Sequence, residues 1–268
     1  MILINKRFTV VFLLLAVLLV SWQPVQGADQ LTDAVIGFLP QRQLYRVAIV
    51  TPGGVEEYVY QAEFRIDADT RQLRASTDGP GYTMESRYDG NLRLLNSEMV
   101  VLNSEDAARV GFDHRVAAYD TVEGKYVLVF YLEGKLQDTR EVYLQEQATE
   151  IEVLGLHLQA LLNQGRTDFH GLMLDLNAPG RYKLDARVLT EKQVQALAEQ
   201  KNMAPQVKSM LENPEQITVF SIGYDGILRF FFPTRFHVVL EKTAPHRVLA
   251  YWAGSGERLR FHVYEFLE

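Results

Sequence analysis

The 268-residue chain has no cysteine at all. This excludes a disulfide framework, a Cys-ligated zinc or iron–sulfur site, a cysteine nucleophile and a lipidated N-terminal cysteine. Histidine is scarce, at six positions, and none forms H-E-x-x-H or another helical pair with an acid between, so a helical zinc site has no support. There is no G-x-S-x-G elbow, no phosphate loop and no dinucleotide fingerprint. Basic residues are outnumbered, 27 against 34 acids for a formal charge of −7, which argues against nucleic acid as a partner. Long apolar runs are missing beyond residue 20, so no later segment is long enough to span a bilayer.

One apolar run is present, at the start. Lys6 and Arg7 precede Phe8–Val20, and Pro24 and Gly27 follow, the order of a secretory signal peptide over residues 1–27. The run is shorter than the roughly 17–25 residues a spanning helix needs, which favours cleavage over a retained anchor. Cleavage removes Lys6 and Arg7 and no acid. The expected mature protein, residues 28–268, is therefore more acidic still, without a stable membrane span. A bacterial periplasm is the expected address and a secreted product the alternative, both oxidising places that a cysteine-free chain does not exploit.

The whole chain is 47% hydrophobic and 11% aromatic, and the part after residue 27 reads as one β-rich domain. Leu44–Val50 and Val55–Ile66 flank Thr51-Pro52-Gly53-Gly54, and Arg71–Thr77, Tyr82–Tyr88 and Asn91–Leu102 follow at turn-marked intervals. In the second strand Tyr58, Tyr60, Ala62, Phe64 and Ile66 form the apolar face. Lys125–Glu133 and Lys135–Leu144 make a hairpin, and Leu228–Glu241, His246–Ala253 and Glu257–Phe266 a terminal meander. A turn between Thr243 and Pro245 predicts Glu241 opposite Arg247, and Phe236 opposite Trp252. The expected fold is mainly β, a curved antiparallel sheet or half-barrel with a few helices packed against it.

Two helical insertions are expected, near 150–164 and 190–212. The first opens at a Thr149-x-x-Glu152 capping box and ends at Gly165. Ile151, Leu154, Leu158, Leu161 and Leu162 line one side, with Val153, Leu156 and Ala160 nearly opposite between the polar flanks Glu150/His157/Gln164 and Glu152/Gln159/Asn163, so this helix needs cover from two directions. The second opens at Thr190-x-x-Gln193, and Pro205 begins a short further helix ending at Asn213-Pro214.

No paired-carboxylate, Ser–His or metal constellation stands out. Gly254-Ser255-Gly256 reads as a turn, and Asp67-Ala68-Asp69 lacks the glycine and distal glutamate of a calcium loop. His237 and His262 stand beside Arg235 and Arg260 on polar strand faces. What remains is apolar surface: Phe230, Phe232, Phe236, Tyr251 and Trp252, with Leu154, Leu158 and Leu161 on the covering helix. These are the candidate lining residues of a cavity.

The order of elements, with the mid-chain helix IEVLGLHLQALLN and the terminal HRVLAYWAGSGERLRFHVYEF, resembles a family of uncharacterised periplasmic bacterial proteins. That family is distantly similar to the LolA/LolB-like lipoprotein-carrier half-barrels. The resemblance implies a sheet curled around an apolar cavity that is capped by helices and holds acyl chains. It implies no particular site residue and no cofactor. Two stretches, around Ala107–Ala118 and Thr190–Asn213, are additional to a minimal carrier. The expectation is a non-enzymatic protein binding a lipid or other apolar ligand. A structural envelope protein with a filled core and a protein partner is the first alternative, and a hydrolase of an envelope polymer the second.

Overall fold

The computed structural model describes residues 42–67, 69–144, 148–150, 153–176, 180–226, 235–253 and 259–267. Fifteen strands form one sheet. In chain order they are β1 (Arg42–Thr51), β2 (Gly54–Ile66), β3 (Leu73–Asp78), β4 (Tyr82–Tyr88), β5 (Leu94–Val101), β6 (His114–Asp120), β7 (Lys125–Leu132) and β8 (Lys135–Tyr143). After them come β9 (Ala148–Glu150), β10 (Asp168–Asp175), β11 (Gly180–Val188), β12 (Ile217–Tyr224), β13 (Phe236–Glu241), β14 (Val248–Ala253) and β15 (Arg260–Phe266). Spatial order is β8-β7-β6-β5-β4-β3-β2-β1-β15-β14-β13-β12-β11-β10-β9. Every pairing is antiparallel except the short β9–β10 contact.

This order dictates the curvature. The two edge strands, β8 and β9, are consecutive in sequence, and the stretch from Tyr143 to Ala148 spans at most about 18 Å. Laid flat, the sheet would hold its edges roughly 67 Å apart at the usual strand spacing. It therefore curls until β9 packs across against β5, without a hydrogen-bonded seam between β8 and β9. The fold is a curved, unclosed, barrel-like sheet.

Four helices occur among the described residues: α1 (Ser104–Val110), α2 (Leu154–Asn163), α3 (Glu191–Ala198) and α4 (Pro205–Leu211). Helix α2 lies inside the curl. Leu154, Leu158, Ala160 and Leu161 join β3–β7 on one side and β10–β13 on the other in a single apolar cluster. This is the two-directional cover its sequence demands. Helices α3 and α4 instead cover the outside, packing Val194, Leu197, Val207 and Leu211 onto Val219, Val239, Ala250, Trp252 and Phe261. The terminal strands are thus sandwiched, which is why β14 is apolar on both faces.

Local signals are confirmed unevenly. The Thr190 capping box is present, with the Gln193 side-chain oxygen accepting the Thr190 N–H at 3.0 Å. Gly165, at φ 70°, follows α2. The Thr149 box is not used: Ala148–Glu150 pairs with β10 and α2 begins at Leu154, its N-cap Val153 making no side-chain cap bond. Strand pairing captures those backbone groups before a cap can form. The predicted Glu241–Arg247 pair is bidentate and as short as 2.6 Å. Phe236, however, does not face Trp252. A bulge at Leu249 shifts the register, so that Leu240 pairs with Val248 but His237 pairs with Trp252. One inserted residue exchanges the two faces.

Candidate functional site

Strand alternation assigns each side chain to the inside or outside of the curl. On β2 the expected apolar set, Tyr58 to Ile66, faces inward, while Glu57, Val59, Glu63 and Arg65 face out. Pairing carries the inward face across β1 as Tyr45, Val47 and Ile49, across β15 as His262, Tyr264 and Phe266, and onto β14 at Tyr251. The inner wall of these central strands is therefore aromatic.

Its rings touch one another. Tyr45 stands between Tyr60 (centroids 5.8 Å apart, planes 12° apart), Tyr264 (5.7 Å) and Phe266 (6.3 Å). Tyr251 stacks on His262 at 4.3 Å and 9°, and reaches Tyr264 at 6.0 Å. Tyr60 continues to Tyr82 at 6.3 Å across Gly79, where an added Cβ would lie 2.5 Å from the Tyr60 ring. Gly79 is thus required by the close approach of that ring.

The wall combines two properties. Every ring in it keeps some accessible surface. Yet burial pushes the Tyr45 and Tyr251 phenols up to about 12, and that of Tyr264 well above its ordinary value. Neighbouring phenols add to the shift of Tyr45 and Tyr264, because a phenolate there would sit beside other potential anions. His262 is held below the usual imidazole range by desolvation and by Arg260. Surrounded by protein but still accessible, these side chains have the surroundings of a concave surface lining. All the phenols stay neutral at pH 7, and the wall is an amphipathic surface of rings with hydroxyl tips.

The residues singled out from sequence separate into groups. Leu158 and Leu161 are wholly buried and Leu154 nearly so, all in the core around α2. Phe236 and Tyr251 are half-buried against that same core, and Tyr251 links it to the aromatic wall. Trp252 faces the other way. It lies 3% exposed under the α3–α4 cover, with His237 stacked on it at 4.8 Å. Phe230 and Phe232 lie outside the described residues. The sequence reading missed Tyr45, Tyr60, Tyr82 and Tyr264. The available signal was tyrosine abundance, 13 in all, at alternate positions of adjoining strands.

A polar cluster lies on the outer face of β10–β13. Arg235 donates to Ser221 Oγ at 2.8 Å and to Asp185 Oδ2 at 3.0 Å, while His170 sits 3.3 Å from the other Asp185 oxygen. Ser221 Oγ thus accepts from a guanidinium, a contact that holds the hydroxyl in place and does not itself take up its proton as a general base would. His237, neighbouring Ser221 in register, has its pKa lowered to about 4 by burial and by Arg235. Its Nδ1 is buried without a hydrogen-bond partner among the described residues. In α2, His157 is 6% exposed against Phe169, and burial lowers its pKa to about 4. Sequence placed His157 on a polar flank; the enclosing curl leaves it no solvent-facing side. Among the described residues no group of three His, Cys, Asp or Glu side chains gathers to hold a metal, and no helix is long and apolar enough to cross a membrane.

No known protein family matches the sequence, and no curated protein is similar to it. Among solved structures, a DUF1329 family protein from Desulfovibrio piger matches with a TM-score of 0.28 and 9% identity, over 91% of this chain and 92% of that one. A β-barrel-like protein of domain of unknown function DUF1849 from Brucella abortus matches with a TM-score of 0.48 and 11% identity, over 86% of this chain and 99% of that one. The chain is thus similar to a β-barrel-like protein whose own function is unknown.

Proposed function

We propose that this protein is an exported, non-enzymatic binding protein of the bacterial periplasm that takes an apolar ligand, a lipid or acyl chain, against the inner wall of its curled sheet. The observation that supports the reading is the aromatic wall itself: inward-facing rings, embedded in protein yet accessible, beside a sealed apolar core. Binding sites of this kind are concave, mostly apolar and carry a few polar groups that orient the ligand. Burial of an acyl chain contributes about 0.8 kcal/mol per CH₂, enough for a carrier without directed chemistry. The periplasmic address rests on residues 1–27, whose order of charge, apolar run and small residues is that of a cleaved signal.

The test is native mass spectrometry of the mature protein purified from the periplasm without detergent, followed by organic extraction and lipid analysis. A stoichiometric lipid, lost on replacing Tyr251 by Asp in a variant with unchanged circular dichroism, is the expected result. A clean apo mass with no uptake of offered fatty acid or phospholipid overturns it. The rival is a structural envelope protein with a filled interior, favoured by the complete burial of Leu158 and Leu161 within the curl. An apo mass together with a captured envelope protein would establish that rival.

A further inference from the structure

The aromatic wall has an internal order that an acyl chain does not require. Strand pairing sets Phe266 opposite Tyr45 and Tyr45 opposite Tyr60, and the bare Gly79 lets Tyr60 reach Tyr82. The result is a transverse strip with successive centroids 6.3, 5.8 and 6.3 Å apart. The first two steps join rings on neighbouring strands, β15 to β1 and β1 to β2, and the third passes over β3 to the start of β4, so the rings form one row across the sheet along which the rings of a sugar chain can lie.

The hydroxyls point the same way. Tyr58 donates to Glu56 at 2.7 Å, and the Tyr251 and Tyr264 hydroxyls are bonded to each other. Among the described residues, the hydroxyls of Tyr45 and Tyr60 have no hydrogen-bond partner. A hydrocarbon laid over these two phenols would strip water from them and return nothing, a cost that a sugar hydroxyl removes. Phenylalanine or leucine would serve an acyl chain better at both positions. Charge narrows the choice further. The ionised groups that meet the wall include the Glu56 carboxylate, which accepts from Tyr58, and the Arg247 guanidinium, 4.9 Å over the Phe266 ring and paired with Glu241; with that cation already partnered and the whole chain acidic, an anionic head group is disfavoured.

We propose that the strip formed by Phe266, Tyr45, Tyr60 and Tyr82 holds the sugar rings of a neutral glycan, free or as the head group of a glycolipid. This rests on the wall being a binding surface, and it adds the chemical class that the surface selects.

The experiment compares three probes by isothermal titration: dodecyl maltoside, octaethylene glycol monododecyl ether and maltohexaose, the two detergents below their micellar concentrations. The first two share a tail and differ in head group, and the third has no tail. The expected result is that dodecyl maltoside binds about three- to tenfold more tightly than the ether, the range for one or two aromatic contacts. Tyr60→Leu should remove that preference and leave ether affinity within about twofold. Tyr60→Phe, which keeps the ring, should keep part of it and carries the test if the leucine variant does not fold. Binding of maltohexaose without either detergent supports the glycan strip and overturns the acyl-ligand reading. Equal affinity for both detergents, unchanged by Tyr60→Leu, overturns the glycan strip and leaves the acyl-ligand reading standing. Binding of none of the three overturns both.

Discussion

The concave face of this sheet is finished in two different ways. Around α2, Leu158, Leu161, Ala160 and Leu174 are wholly buried, and both sides of the helix are covered by strands from opposite halves of the curl. Across β14, β15, β1, β2 and β4, the same face is lined by tyrosines that keep accessible surface. The difference lies in what each region is built to satisfy. Leucine and alanine have no polar atom, so complete enclosure is their most stable state. Tyrosine carries a hydroxyl that must be hydrogen-bonded or reach water, so a tyrosine wall resists being sealed. Complete enclosure and accessible polar tips are thereby placed in different parts of one sheet.

Truncation should separate the two regions most strongly. Leu158→Ala removes buried methyl groups where the surroundings cannot collapse, and a loss of about 2–5 kcal/mol in urea unfolding is expected. A loss below about 1 kcal/mol would mean that the region around α2 is loosely packed, and the contrast would fail.

Acid tests the same region by another route. His157 has a folded pKa of about 4, below the unfolded value of about 6.5. The unfolded chain therefore binds a proton in the interval between these values that the folded protein does not. Stability is full above pH 6.5 and falls as the pH drops toward 4. From pH 7 to pH 5 the expected loss from this residue is about 2 kcal/mol, and His157→Gln should flatten the profile by that amount. His237 and His262 contribute in the same direction, so a residual slope is expected in the single variant and a smaller one when His237 is replaced as well. A His157→Gln profile that overlies the wild type would show that the imidazole is not desolvated.

Helix seating should have an intermediate effect. A Cβ added to Gly155 would lie 2.9 Å from Val248 Cγ2, so α2 sits close on β14 only because that residue is glycine. Gly155→Ala should cost about 1–3 kcal/mol, the range for overpacking, and Val248→Ala in the same chain should return part of it. Additive losses in the double variant would refute the contact.

The smallest stability effect belongs to the wall. Tyr45→Leu keeps apolar volume and gives up a hydroxyl that has no partner among the described residues. A change within about 1 kcal/mol is expected in unfolding. A larger loss would mark the wall as structural core and remove the distinction on which its proposed binding role depends.

Much of the sheet is legible in the residue pattern. Tyr82–Tyr88 is a strand with the predicted ends, the inward face of β2 is the predicted one, and Glu241 meets Arg247 across the final turn. These follow from period-two alternation and turn residues, which act over a few positions. The β10–β11 hairpin and β12 are not anticipated, nor is β6 within the stretch read as an insertion. Of these, β12 is buried along nearly its whole length, where alternation fades, and in β6 the wholly buried Arg115 breaks the apolar pattern, whereas β10 and β11 alternate buried residues with exposed polar ones. Of the candidate site, Phe236 and Tyr251 lie on the inner face, while Trp252 belongs to the outer one because of the single bulge at Leu249. A register shift of one residue leaves no mark in composition.

The sequence by itself determined the class of the protein: an acidic, cysteine-free, mainly β chain with a helix that needs cover on two sides. Those properties are set by composition and by neighbours a few residues apart. Only the tertiary structure decided that this helix is wrapped by both ends of one sheet, that α3 and α4 cover the outside, and that tyrosines from five strands meet on one wall. Their coming together depends on pairing between β1 and β15, which join residues more than 200 positions apart. No local pattern encodes that pairing, because it is selected by which closure of the whole sheet buries the most apolar surface.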